Sequence, residues 1–270
     1  MNQKNIHSVL ETQNLSIGYR DKKQVYEIQK NLNLKIHKGA LLAVLGRNGI
    51  GKSTLLRTLT KVQSPLNGSI AIDGKELQNF DFKELSQKVS VVLTERLPDS
   101  QLTVFELVAL GRQPYTNWLG KLSEDDILKV QWALQQTECE EFSHKHFYEL
   151  SDGQLQRVMI ARALAQDTEI IILDEPTAHL DMHHTIKIFQ LLQKLVLETQ
   201  KTIILSTHEV NLAIQLADQF VLMTEQEVAS GDKETLIKTN TFHKLFPSEI
   251  LNFNTNLEQF VIRKKSPNKQ

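Results

Sequence analysis

The sequence predicts an α/β fold: a core with a mainly parallel sheet, an N-terminal antiparallel β subdomain and an inserted helical subdomain. Three observations lead there. Short continuous apolar runs, such as residues 40–45 and 170–173, have the length of strands covered on both faces. Segments with helical spacing follow them, and that alternation builds parallel sheets. Between the first such run and its helix lies Gly46-Arg47-Asn48-Gly49-Ile50-Gly51-Lys52-Ser53-Thr54, which reads G-x-x-x-x-G-K-S, the phosphate-binding P-loop.

The elements follow in order. Alternation at Val9, Leu10, Leu15 and Ile17, and again at Leu32, Leu34 and Ile36, predicts half-exposed antiparallel strands. A Lys38-Gly39 turn enters the strand before the glycine loop, and a helix follows through Leu59. Glycines let that loop curl so that several N–H groups face one anion, and the helix dipole adds to the field. Lys52 supplies a point charge for phosphates and Ser53 a hydroxyl for Mg²⁺. Residues 69–72 are a short strand between turns, 81–87 a short helix and 88–94 a buried strand.

After Glu95 the texture becomes helical. Residues 103–110 form a helix stopped by Gly111, 112–121 a loop, and Ser123 with Asp126 a capping box for a helix to about Gln136. Ser151 opens another helix to about Gln166. The insertion thus covers about 96–165 of a domain at 8–245. Strands at 169–173 and 202–206 enclose a helix from about Asp181 to Thr199, with Met182, Ile186, Phe189, Leu192 and Val196 on its apolar face. A helix to Ala217, strands at 219–223 and 227–229, and a helix after Gly231-Asp232 complete the pattern. Residues 246–270 read as a C-terminal tail with weak signals and a solvated basic end.

The 270 residues, 40% of them hydrophobic, suffice for one large domain and its insertion. A formal net charge of −1 gives no overall attraction to nucleic acid or lipid. The single cysteine, Cys139, excludes an internal disulfide and reads as a small core side chain. His144 and His146 near it lack zinc-site spacing. Residues 1–7 are polar, unlike a secretion signal, and no run approaches the roughly 20 apolar residues of a membrane span. Any membrane role is expected to be peripheral or through a partner.

Ligands of open parallel sheets sit at the carboxyl ends of the strands. Three strands end there in residues suited to phosphoryl transfer: the glycine loop, Asp174-Glu175 and His208. Hydrolysis of ATP needs a metal held by a carboxylate, neutralised phosphate charge, and an in-line water relieved of a proton. Asp174 suits Mg²⁺ beside Ser53, Glu175 suits a general base, and His208 suits a hydrogen bond to the γ-phosphate and the water. Leu150-Ser151-Asp152-Gly153-Gln154 starts a further helix and makes a second anion site of the same kind. One nucleotide has no need of it; a second copy facing head to tail would use it.

With these motifs in this order over about residues 10–230, the chain resembles the nucleotide-binding subunits of ATP-binding cassette (ABC) transporters, built on a P-loop NTPase core. Residues 150–154 resemble that family's Leu-Ser-Gly-Gly-Gln signature, with Asp152 in place of the first glycine. The resemblance implies a homodimer sandwiching two ATP molecules with Mg²⁺. Tyr19 would stack on adenine; Gly46, Asn48, Gly49, Gly51, Lys52, Ser53 and Thr54 would bind phosphate; Ser151, Gly153 and Gln154 would close over it from the other copy. Ser53, Glu95 and Asp174 would hold Mg²⁺, and Asp181 would make a dimer contact. Glu95 stands where the family usually has glutamine, which adds charge near the phosphates.

Residues 107–118 resemble the ATPases of siderophore, haem and cobalamin importers, which implies that Tyr115 and Trp118 meet the permease. The expected function is ATP hydrolysis that powers uptake of an iron chelate, or a related haem or cobalamin cofactor, through separate permease subunits. The subunit would be peripheral, on the cytoplasmic face of a bacterial inner membrane, with a substrate-binding protein engaged indirectly and no nucleic-acid partner. The alternative is a soluble single cassette acting as an assembly factor, for example in iron–sulfur cluster assembly.

Overall fold

The computed structural model describes residues 8–22, 24–93, 100–117, 120–247 and 250–263. The chain begins with a hairpin, β1 (Ser8–Asp21) and β2 (Gln24–Leu32), then β3 (Lys35–His37) and β4 (Leu41–Gly46). The glycine loop leads into α1 (Lys52–Leu59), followed by β5 (Asn67–Ile72), β6 (Lys75–Glu76), α2 (Phe82–Ser86) and β7 (Val89–Val92). The insertion contains α3 (Val104–Ala109), a 3₁₀ segment (Leu110–Tyr115) and α4 (Glu124–Gln136), and α5 (Asp152–Ala165) returns to the sheet. Then come β8 (Ile170–Leu173), α6 (Met182–Thr199), β9 (Thr202–Ser206), α7 (Val210–Leu216) and β10 (Gln219–Met223). The chain closes with β11 (Val228–Asp232), α8 (Lys233–Lys238), α9 (Phe242–Leu245) and a hairpin, β12 (Leu251–Asn254) with β13 (Gln259–Ile262).

The main sheet has the order β11-β10-β4-β9-β8-β7 and is parallel except where β11 joins β10. The second sheet, β2-β1-β5-β6 with β3 also on β1, is antiparallel. The run at β4 is continuously apolar because both its faces are covered. Leu41, Ala43 and Leu45 pack into a core shared with α3, α5 and α6, while Leu42 and Val44 pack against α1 and the antiparallel sheet. Each such fully buried aliphatic side chain contributes roughly 1.5–3 kcal/mol before chain entropy is counted.

Four details depart from the sequence expectations. Gly111 does not stop a helix. A Cβ there would lie 2.3 Å from the Arg162 carbonyl oxygen, so the glycine lets the chain pass α5, and 3₁₀ turns continue to Tyr115. Arg112, expected in a loop, is 7% exposed. Its Nε donates to Asp126 Oδ1 (2.8 Å), its Nη1 donates to the Ala165 carbonyl (2.8 Å), and its guanidinium lies 4.0 Å from the centre of the Tyr115 ring. One cation therefore ties the 3₁₀ segment to α4 and α5.

On α6, Met182 is 80% exposed and Ile186 half-buried, because residues 181–184 project past the core. The buried stripe is Thr185, Ile188, Phe189, Leu192, Leu195 and Val196. The segment after Phe246 carries a packed hairpin. Phe253 stacks on Phe242 (4.8 Å) and meets Phe260 edge-on (5.3 Å). Asn211 of α7 donates to the Phe260 carbonyl (3.1 Å) and accepts from its N–H (2.8 Å), as a neighbouring strand would. Strands this short leave almost no periodic signal.

Cys139 is buried, as expected, and burial pushes its thiol up. His146 Nδ1 is bonded to the Gln101 carbonyl, and its ring stacks on Tyr148. Among the described residues, no helix is long and apolar enough to cross a membrane.

Candidate active site

β4, β9 and β8 are parallel neighbours, so the glycine loop, His208 and Asp174-Glu175 emerge together at the carboxyl ends of the strands. The loop's glycines serve different needs. At Gly46 a Cβ would sit 2.7 Å from the Met223 carbonyl oxygen. Gly49 has φ +77° with open space around it. Gly51, at φ +107°, caps α1, and a Cβ there would strike Ile28 at 2.6 Å. Lys52 is 4% exposed, and its Nζ donates to the carbonyls of Gly46 (3.0 Å) and Arg47 (3.4 Å). Burial holds this amine below the usual lysine range, although the charges of Glu175 and Asp174 pull it partway back.

A chain of hydroxyls and carboxylates lies beside it. Ser53 Oγ donates to Asp174 Oδ1 (3.0 Å), and Ser206 Oγ donates to the same oxygen (2.7 Å). Ser206 Oγ in turn accepts from the Glu175 N–H (2.9 Å). Glu175 adopts φ +48°, in the left-handed region that disfavours side chains. His208 Nε2 donates to Glu175 Oε1 (2.7 Å). A cleft of about 350 Å³ is lined by Ile28, Asn48, Gly49, Gly51, Lys52, Ser53, Thr54, Glu175 and His208.

Chemically, loop N–H groups with a buried cation suit an anion, and a carboxylate bonded to an imidazole suits taking a proton from water. Among the described residues, no group of three or more His, Cys, Asp or Glu side chains could enclose a metal. Mg²⁺ asks for less: one or two protein oxygens, with water and phosphates completing the shell. The Ser53 hydroxyl and the Asp174 carboxylate fit that donor set.

The sequence did not mark Ser206 or Ile28 as site residues. A hydroxyl ending an apolar strand was the available signal for Ser206. Ile28 had none, since it is the extra residue where Ile17↔Gln29 shifts to Gly18↔Glu27 in the β1–β2 register.

Other expected residues lie outside this cleft. Tyr19 is 52% exposed on β1, stacked on its cross-strand partner Tyr26 (5.0 Å, 23°). Ser151, Gly153 and Gln154 form the first turn of α5. Ser151 Oγ accepts from the Gln154 N–H (3.3 Å), and Gln154 Oε1 accepts from the Ser151 N–H (3.0 Å). Asp181 caps α6 and is exposed. Glu95 and Trp118 lie outside the described residues.

Residues 29–178 match the family model described as ABC transporter. The chain is 38% identical to the petrobactin import ATP-binding protein FpuD of Bacillus anthracis, over 90% of this chain and 88% of that one. It is 35% identical to the iron(3+)-hydroxamate import ATP-binding protein FhuC of Bacillus subtilis, over 90% and 86%. Its fold is similar to the dimeric ATP-binding cassette MJ0796, solved in a post-hydrolysis state with ADP and Pi. That match has TM-score 0.71 and 31% identity, and covers 83% of this chain and 98% of that one.

Proposed function

Because this chain belongs to the ABC transporter ATP-binding family, we propose that it is the motor subunit of an importer for an iron chelate. It is an ATPase, and it binds ATP at the carboxyl ends of its parallel strands. The observation that carries the catalytic part is the bonded series Ser53–Asp174–Ser206–Glu175–His208, drawn from three adjacent strand ends.

Lys52 and the loop N–H groups hold the phosphates, and Tyr19 stacks on the adenine. Ser53, Asp174 and Glu95 would hold Mg²⁺, which would neutralise phosphate charge. Glu175 takes the proton of the attacking water, and His208 orients that carboxylate and reaches the γ-phosphate. Ser151, Gly153 and Gln154 of a second copy close the site, with Asp181 at the contact. Removing a general base typically costs about 10²–10⁴ in rate. Glu175→Gln is therefore expected to lose turnover on that scale, keep ATP binding and accumulate as an ATP-bound dimer. Near-normal turnover removes Glu175 from the role.

The iron-chelate substrate is supported by what the relatives are named for: petrobactin and iron(3+)-hydroxamate import. These names do not favour the assembly-factor alternative. The permease meets the helical subdomain at Tyr115 and Trp118, on the cytoplasmic face of the membrane, and the substrate-binding protein acts only through that permease. Co-purification tests the partner: a polytopic membrane protein is expected, and recovery of only a soluble scaffold overturns the importer role. Glu95 senses that partner. Glu95→Gln keeps basal hydrolysis if coupling is its main role, and complete loss makes it a direct catalytic participant.

A further inference from the structure

Gly153 is buried while its neighbours Ser151 and Asp152 are exposed. What covers it is the ring of His184, from the first turn of α6. A Cβ built on Gly153 would stand 2.7 Å from His184 Cδ2 and 3.2 Å from Cγ. Its φ lies outside the left-handed range, so a side chain there would meet the His184 ring and not backbone strain.

The same imidazole is bonded on its other side. Asp181 Oδ1 accepts from the His184 N–H (2.9 Å), and Asp181 Oδ2 accepts from His184 Nδ1 (2.9 Å). Capping α6 needs only the first of these bonds. The second bond goes beyond a cap and holds the imidazole in place, and the ring–glycine contact joins the first turn of α6 to the first turn of α5. His183 packs edge-on against His184 at 5.7 Å. The His184 side chain is still 47% exposed, on the surface that presents both turns.

We propose that His184 is a positioning residue that fixes Asp181 relative to Ser151 and Gly153, so that one chain offers both segments to a second copy's nucleotide in one geometry. This rests on the head-to-tail dimer described above. A chain that binds ATP at its own P-loop gains nothing from the link. A chain that must present two separate turns to another copy's phosphates gains their mutual register.

The test uses the Glu175→Gln chain, in which ATP is expected to trap the dimer, and measures ATP-driven dimerisation by analytical ultracentrifugation. Adding His184→Ala is expected to weaken dimerisation about tenfold, the scale of one hydrogen bond to a charged group. ATP binding to the monomer should stay within about twofold, because no P-loop contact is touched. With Glu175 intact, His184→Ala should lower kcat and leave KM nearly unchanged. His184→Asn keeps a donor near Nδ1 and is expected to restore dimerisation to within about threefold; His184→Phe keeps a ring without the donor and is not. These two variants decide the matter even where the alanine chain folds poorly.

Dimerisation by His184→Ala equal to its parent overturns the proposal, as does equal behaviour of the Asn and Phe chains. A Glu175→Gln parent that stays monomeric with ATP overturns the head-to-tail dimer itself.

Discussion

Replacing Arg112 with alanine removes a cation whose side chain is 8% exposed and is bonded to a carboxylate that is 7% exposed. Asp126 would keep the N–H and hydroxyl of Ser123 but lose its counter-charge. The Ala165 carbonyl, at the end of α5, would lose its side-chain donor. Breaking a buried pair on one side typically costs about 3–5 kcal/mol, because the remaining charge stays desolvated. An orphaned carbonyl costs about 1–3 kcal/mol, and the two overlap at one cavity, so the expected loss is about 3–5 kcal/mol in all. Urea unfolding at neutral pH with unchanged m-value measures it. The double change Arg112→Met with Asp126→Asn removes both charges and should recover at least about half of that loss. A loss below about 1 kcal/mol for Arg112→Ala, or a strictly additive double change, refutes the reasoning.

Three further expectations can be checked together. Gly111→Ala should destabilise by about 1–3 kcal/mol or more, although helix propensity alone predicts a gain, because the added Cβ meets the Arg162 backbone; a raised melting temperature would count against it. Burial pushes the Asp126 carboxyl up, but bonds from Ser123 and Arg112 outweigh it and leave it below the usual carboxylate range. Its stabilisation is therefore present above the unfolded-state value of about 3.9 and is lost as pH falls through the lower folded value, so Asp126→Asn should flatten the acid limb of the stability curve. Ser206→Ala strips the Glu175 N–H and Asp174 of a shared hydroxyl; stability should fall by about 1–3 kcal/mol and kcat should drop more than KM changes.

Much of the fold could be read because its signals are local. β4, β8 and β9 are continuous apolar runs, and the Ser123–Asp126 capping box starts α4 where the sequence places it. The phosphate loop carries its own geometry in its glycines. Arg112 was not readable, because its partners Asp126 and Ala165 meet it only through tertiary packing. Gly111 was misread for a related reason: a helix-stop glycine and a close-approach glycine look alike until the neighbouring backbone is in place. Ser206 and Ile28 were missed because one acts through a shared hydroxyl and the other through a strand irregularity. The C-terminal hairpin stayed hidden because Asn211 and an aromatic cluster hold it, not strand length.

The left-handed backbone at Glu175 has a consequence for how this sequence can drift. A side chain in that region costs about 1–3 kcal/mol relative to a relaxed conformation, and glycine would sit there at ease. Selection for stability alone would therefore empty the position of its carboxylate. A chain that keeps glutamate there accepts a less stable resting fold to hold an acid where His208 can reach it. In a library sorted only by thermal resistance, glycine at position 175 should rise in frequency, and the loss of chemistry would mark what the strain had been retained for.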